Sequence, residues 1–398
     1  MSEAKYILIV SNATGVREFI ITDFLTLQYQ KTVNDIGLMS FSVLDTHPMA
    51  LTIVERDWQV EVIRKRAADP NISNAIAAYT DFGGFIREEE RITSSDGTTL
   101  VTYYAVGWND LLRRSIIAYK ADVVNRTQFV GANAERIMKI LVTRNATTSG
   151  TTADGRDRNV PAWGGRVSVQ TDLARGNLLD MFFGRVNLLD ALQQIADIGG
   201  GDFDMVKLPA FTTAWEFRWY TGQLGTDRTA TVTFALQYGN MANPTLRYRR
   251  LEEKTVAIVA GQEVAGVRSV ESVTGTNYNA DTNSYEIFVD GSDITTTAGL
   301  QNRGSAKLYE LRAREELSFD VIQTPGSLYG LHYFLGDKVT GYFQGVSATK
   351  KIQSVSSNFD ASGLERVSLG LQALSWYRET SFNACWQSST TLALGSTH

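Results

Sequence analysis

The chain has 398 residues, 43% of them hydrophobic and 20% charged, with a formal net charge of −5. That length suits two to four domains of about 100–200 residues each, and the composition suits a globular protein rather than a disordered one. The acidic balance argues against an obligate nucleic-acid binder, which shows a basic face, but not against a protein that nucleic acid passes without sticking. One cysteine, Cys385, excludes an internal disulfide and a cysteine-rich metal site. No apolar run of about 18 residues offers a membrane span. The start, MSEAKYILIV, lacks the layout of a secretory signal and reads as unprocessed and made in the cytoplasm.

In chain order the first third is strand-like. EFIITDFLTLQYQKTV is rich in β-branched and aromatic residues, and LMSFSVLD alternates apolar with small polar side chains. WQVEVIRKR alternates as well. Two further strands flank Asp96-Gly97, a pair suited to the positive φ angles of a tight hairpin turn. The pattern then changes. Asn109 and Asn133 are candidate caps for a short helix (NDLLRRSII) and a longer one (NAERIMKILV), and Thr143 to Gly165 reads as a long polar loop. NLLDALQQIAD is the clearest helix, with Leu188, Leu189, Leu192, Ile195 and Ala196 on one face and Gly199–Gly201 at its end. From Trp215 the pattern is β again, with one more helix over LQNRGSAKLYELRAREE and a closing pair of strands in KKIQSVSSNFDASGLERVSLGL. After Tyr377 the chain is polar and reads as a tail. These elements predict a mainly β protein with a smaller α+β part and domains inserted into one another.

Catalytic constellations are scarce. His47, His332 and His398 are far apart and outside any HExxH pattern; the first two read as ordinary turn residues beside Pro48 and Tyr333. Cys385 lies in the tail, where base and pocket are lacking. The acidic pairs in REEER (Arg87–Arg91), Glu252-Glu253 and Glu315-Glu316 point to opposite faces of their strands and read as solvated edges or an acidic channel lining. Asp202 and Asp204 share a strand face but lack the oxygens calcium needs. Arg156 and Arg158 oppose cation binding in ADGRDRN. No phosphate loop, GxGxxG or GxSxG occurs. No catalytic, cofactor or metal residue is expected, and a structural or assembly protein leads over an enzyme.

Three stretches in order resemble a known family. YYAVGWNDLLRRSII carries a strand, Gly107, a short helix with Leu111 and Leu112, then Arg114 and Ile116. NLLDALQQIADIGGGDFDM carries Leu188 and Leu192 in a helix before a strand. YFLGDKVTGYF with KIQSVSSNFDASGLERVSLGL carries a turn at Gly336-Asp337, a strand, and a hairpin with Gly363 in its turn. This order resembles phage tail hub proteins of the siphophage Gp37-like type, the central baseplate hub of contractile tails and the hubs of gene transfer agents. The resemblance implies two tail-tube-like β-barrel or sandwich domains. Residues 1–108 would form the first, continued by about 203–250. Residues 109–202 would form a helical α+β hub domain, with about 300–330 as its continuation. Residues 251–299 and 331–377 would form the second, and 378–398 a C-terminal tail. It implies a homotrimer whose six tube-like domains make a pseudo-sixfold ring at the virion tail tip. Its partners would be a distal tail or tail tube protein above, tip, fibre or spike proteins below, and the tape measure protein. DNA would cross the lumen without specific binding, and no stable membrane insertion or cofactor is implied. The chain stops soon after Tyr377, so a fused hydrolase is not expected. The closing hairpin is expected to pair with a neighbouring subunit. Two other classes compete: a cell-wall glycan-degrading enzyme, and a receptor-binding adhesin on the tail periphery.

Overall fold

The computed structural model describes residues 4–52, 54, 56–66, 79–118, 126–148, 166–208, 213–359 and 365–371. Gly363, ADGRDRN, Cys385, His398 and the 378–398 tail lie outside the described residues.

Seven strands come first: β1 (Ala4–Ser11), β2 (Arg17–Ile21), β3 (Thr26–Thr32), β4 (Leu38–Leu44), β5 (Gln59–Arg66), β6 (Tyr79–Thr93) and β7 (Thr99–Gly107). Alternation is plainest in three of them. β3, β4 and β7 bury Leu27 and Tyr29, Met39 and Phe41, and Val101 and Tyr103, and turn Gln28, Ser40 and Thr102 to the other face. Gly97 takes φ +84° in the turn between β6 and β7, a conformation a side chain disfavours. The long β6 pairs with β5 through its first half and with β7 through its second. The sheet therefore folds over, and Leu8, Val10, Val60 and Val62 share one core with Leu27, Phe41 and Tyr103.

The middle holds α1 (Asp110–Arg113), β8 (Thr127–Asn133), α2 (Ala134–Ala146), β9 (Val167–Val169), β10 (Leu178–Phe183), α3 (Leu188–Gly199), β11 (Gly201–Lys207) and β12 (Trp215–Thr221). α3 forms as its apolar face and glycines predict, with Gly200 ending it at φ +76°; Asn187 caps it, accepting from the Leu189 N–H at 3.0 Å. Asn109 behaves otherwise. Its side chain makes no cap; it donates to the Asp35 carbonyl and accepts from the Met205 N–H, both at 2.8 Å. α2 runs on to Ala146, into the stretch expected to be loop. Asn145 is fully buried there, donating to the Leu141 carbonyl at 2.7 Å and accepting from the Ala118 N–H at 2.8 Å. A polar residue with satisfied hydrogen bonds stays in a helix that composition alone would end.

The last third holds β13 (Thr233–Ala235), β14 (Met241–Arg249), β15 (Val256–Val264), β16 (Val267–Thr274), β17 (Glu286–Asp290), α4 (Thr297–Glu310), β18 (Arg314–Val321), β19 (Lys338–Phe343), β20 (Val346–Phe359) and β21 (Glu365–Leu371). One 13-stranded sheet runs β14-β18-β21-β20-β3-β4-β7-β6-β5-β1-β2, with β19 attached to β20 and β13 to β19. Its path is open, and among the described residues it closes no barrel.

Strand pairing regroups three segments. β11 pairs with β12 and β12 with β9, and their Phe203, Trp215 and Phe217 join the core of α2 and α3; they do not extend the first β unit. β15, β16 and β17 form a separate sheet whose Ala257 and Val259 pack on Leu300 and Leu308 of α4, apart from the second β unit. β14 and β18 both enter the large sheet. Alternation reports which face a strand buries, not which strand lies beside it. The hairpin β20–β21 is also internal: β20 lies between β21 and β3, and β21 between β20 and β18. Over Ser354–Phe359 and Val367–Leu371 the hairpin strands are thus flanked on both sides by strands of the same chain.

The large sheet contains one strand order twice. β3, β4, β5, β6 and β7 lie in the order β5-β6-β7-β4-β3; β14, β18, β19, β20 and β21 lie in the order β19-β20-β21-β18-β14. The match extends to single residues. Val43 opposes Val101, which opposes Arg91; Val321 opposes Val367, which opposes Ser357. The register slips between Ile86 and Glu88 against β7, and at the same place between Ile352 and Ser354 against β21. Residues 250–313, with β15–β17 and α4, occupy the link that in the first unit is the short β3–β4 turn.

Candidate functional site at the seam between the β units

The two β units join edge to edge through β3 and β20, antiparallel, from Thr32 opposite Ser354 to Leu27 opposite Phe359. Behind this seam lies a buried ionic cluster. The Arg64 side chain is fully buried. Its Nη2 donates to Glu365 Oε1 at 2.5 Å, its Nε to the Tyr6 hydroxyl at 3.0 Å, and its Nη1 to the Tyr329 carbonyl at 2.8 Å. The Tyr6 hydroxyl donates to Glu365, and the Arg64 guanidinium lies 4.9 Å from the Tyr329 ring centroid. Beside it the Asp81 carboxylate accepts from Lys31, from the Tyr29 hydroxyl at 2.5 Å and from the Tyr329 hydroxyl at 2.7 Å. Every buried charge thus has an opposite charge and hydrogen bonds, which burial demands. Burial alone would raise the Asp81 carboxyl, but the Lys31 ammonium and the hydrogen bonds hold it below its usual range. Burial, then the nearby carboxylates, keep Tyr6, Tyr29 and Tyr329 neutral well above neutral pH.

Asp202 ties the middle region to the same seam. It lies almost wholly buried on β11 and holds Lys351 of β20 at 3.0 and 3.1 Å, with Asn34 and the Leu224 N–H as further donors. The cation beside the Asp202 carboxylate is therefore a lysine of the chain itself. An open cleft of about 690 Å3 borders the seam, lined among others by Lys31, Asp35, Asp81, Trp108, Asp204 and Lys207. Burial raises Asp35 to about 7, against the Ile36 N–H and Arg113, and Asp204 to about 6, against the Met205 N–H.

The residues singled out in the sequence take separate positions. Gly107 ends β7 against Gly37, whose carbonyl accepts its N–H at 2.7 Å. Leu111, Leu112, Leu188 and Leu192 are fully buried in the core of the middle region. Arg114 bridges Asp110 at 2.5 Å and Asp57 at 2.9 Å, and lies 4.8 Å from the Phe85 ring centroid. Gly336 stands at φ +84°, where an added Cβ would come within 2.7 Å of Leu224 Cβ. The next residue, Asp337, is buried and gathers the Thr226 N–H and Arg228 Nε at 2.6 Å and the Phe334 N–H at 2.9 Å. His47 caps a turn by accepting from the Met49 N–H, and His332 accepts from the Leu328 N–H. Among the described residues no three His, Cys, Asp or Glu side chains cluster as metal ligands would. Sequence reading missed the seam cluster, because in WQVEVIRKR only the alternation is legible and nothing local marks Arg64 as buried.

A family model described as Siphovirus ReqiPepy6 Gp37-like protein matches residues 7–371. The chain belongs to that family. No curated protein matches this Gp37-like chain. Its fold is similar to that of a 43 kDa tail protein of prophage MuSo2 from Shewanella oneidensis (TM-score 0.56, 12% identity, 92% of this chain and 98% of that one). It is also similar to a tail protein from Neisseria meningitidis MC58 (0.53, 12%, 93% and 97%). A third match is prophage tail protein gp18 from Listeria monocytogenes EGD-e (0.51, 13%, 97% and 99%). The Gp37-like chain thus shares its fold, mainly β with several sheets, with proteins of prophage tails.

Proposed function

We propose that the chain is the hub of a phage or phage-like tail tip, a homotrimer whose three copies set six β units in a pseudo-sixfold ring. The carrying observation is the duplicated strand order, with its two units already joined side by side through β3 and β20. Three such pairs match a hexameric tube on one side, and one inserted sheet per pair offers threefold features to the tip on the other. In this reading the partners are a distal tail or tube protein above, tip, fibre or spike proteins below, and the tape measure protein, and the chain resides in the virion. The face of the sheet opposite the core supports passage of DNA. Gln28, Gln30, Ser40, Ser42, Thr102, Ser356 and Ser368 lie along its centre, and these hydroxyls and amides neutralise no phosphates; Arg247, Arg249 and Arg366 share the face with Glu88, Glu90 and Asp320. The role is structural, without catalysis or cofactor. Imaging of assembled particles tests it: three copies on the tail axis are expected, and a peripheral position or another copy number overturns it.

A second reading draws on the cleft, where Asp35 and Asp204 have the raised carboxyls a general acid needs. Turnover of purified cell wall, lost in Asp35→Asn or Asp204→Asn, would favour a glycan-cleaving enzyme.

A further inference from the structure

The duplicated strand order makes the β3–β20 seam a template. In the second unit the outer half of β20 is zipped to β21 on one side and to β3 on the other. Its counterpart, the outer half of β6, is zipped only to β7 among the described residues. In the first unit β3 has two partners, β4 and β20; its counterpart β14 has only β18 among the described residues. The two surfaces that meet inside the chain therefore recur, unfilled, on β6 and on β14. Unfilled strand edges recruit partners, and proteins normally blunt or cover them.

We propose that β14 of one copy adds antiparallel to the outer half of β6 of the next copy, repeating between chains the seam within the chain. The partner rests on the ring reading, in which it is a second copy. The shared rows fix the register. Ser354 and Ser356 correspond to Glu88 and Glu90, since Ser354 and Glu88 follow the same bulge. Gln30 and Thr32 correspond to Arg247 and Arg249, since Gln28 opposes Ser40 as Thr245 opposes Ser318. Within the chain Gln30 meets Ser356 and Thr32 meets Ser354. Between chains Arg247 then meets Glu90, and Arg249 meets Glu88. All four side chains are exposed. A neutral seam inside the chain is thus replaced by two opposite-charge pairs between chains. Exposed Ile92 and Tyr248 lie on the same two edges and would be covered. Opposite charges directly across a strand pair favour one register, and like charges there oppose pairing.

Charge reversal on the full chain tests this. Light scattering at micromolar concentration and low salt reads the oligomer, with circular dichroism and thermal melting as folding controls. Glu88→Arg with Glu90→Arg, or Arg247→Glu with Arg249→Glu, should each cut the trimer fraction at least tenfold with the melt unchanged. The fourfold variant should restore the trimer. A second readout, independent of charge, uses Glu90→Cys with Arg247→Cys in a Cys385→Ser background, where oxidation should give covalent dimers and trimers. A trimer that survives both reversals and does not cross-link overturns the strand pairing and leaves the ring standing. A chain that is monomeric throughout and never cross-links overturns the pairing and removes support for the ring as well.

Discussion

Arg64 shows how much one residue can hold. Its guanidinium reaches a strand of each β unit and a tyrosine ring between them. Removing one partner strands the other charge in a dry site, which costs about 3–5 kcal/mol, whereas replacing both by apolar groups is often near neutral. Arg64→Met should therefore lower stability by about 3–5 kcal/mol in urea unfolding, and Arg64→Met with Glu365→Leu should recover most of it. If the double variant is no more stable than the single, Glu365 is not the charge that Arg64 neutralises. Nothing in VIRKR announces this role. Arg64 is buried because the strand opposite it comes from about three hundred residues away, and local pattern carries no such information.

Titration belongs to the same scale. Burial raises Asp35 and Asp197 to about 7 and Asp204 to about 6, against about 3.9 in an unfolded chain. The folded chain binds these protons more tightly, so their contribution to stability is greatest in acid and is lost as pH rises from about 4 to about 7. Glu135 works the other way. Burial would raise it, but Arg175 and Lys139 bring it down to about 2, so its contribution is present above about 4.3 and is lost as pH falls towards 2. Asp197→Asn should therefore raise the urea midpoint at pH 8 and leave it unchanged at pH 4. An equal shift at both values would point to packing and not to a proton.

At the scale of elements, α3 was legible from five apolar residues on one face and a glycine stop, which need no distant partner; its Asn187 cap came from the structure. The strands were legible as strands, because alternation is local. Their neighbours were not. β11 and β12 look like any other pair of amphipathic strands, and only packing against α2 and α3 assigns them to the middle region. By its pattern the hairpin β20–β21 is free to meet another subunit, but β18 and β3 flank it. This changes what a proline there would do. Val367 is buried in β21, between two hydrogen-bonded neighbours, so Val367→Pro should destabilise the chain itself by about 1–3 kcal/mol through the ladder hydrogen bond it removes. A variant that melts like the parent but fails to oligomerise would contradict this placement.

At the scale of the whole molecule, two β units were implied by the family resemblance, but no repeat of residues shows the duplication. The two units share a strand order, a bulge and rows of apolar residues, but at matching places one has Glu88 and Glu90 where the other has Ser354 and Ser356. An insertion of residues 250–313 further parts one unit's strands. The polar sheet face also carries a prediction at this scale. Duplex DNA should show no retention by the assembled protein at about 0.15 M salt, and Gln30→Arg with Ser356→Arg should create retention that weakens as salt rises. Retention by the unaltered protein would count against a channel that DNA leaves freely.

The joining of β3 to β20 has one more consequence. Because both units are translated as one polypeptide, they are always made in equal number and always side by side. Alternation of unlike units therefore needs no recognition step; it is written into chain connectivity. In the proposed ring, the step from a sixfold pattern to a threefold one would be a matter of gene structure, settled at the ribosome before any two copies have met.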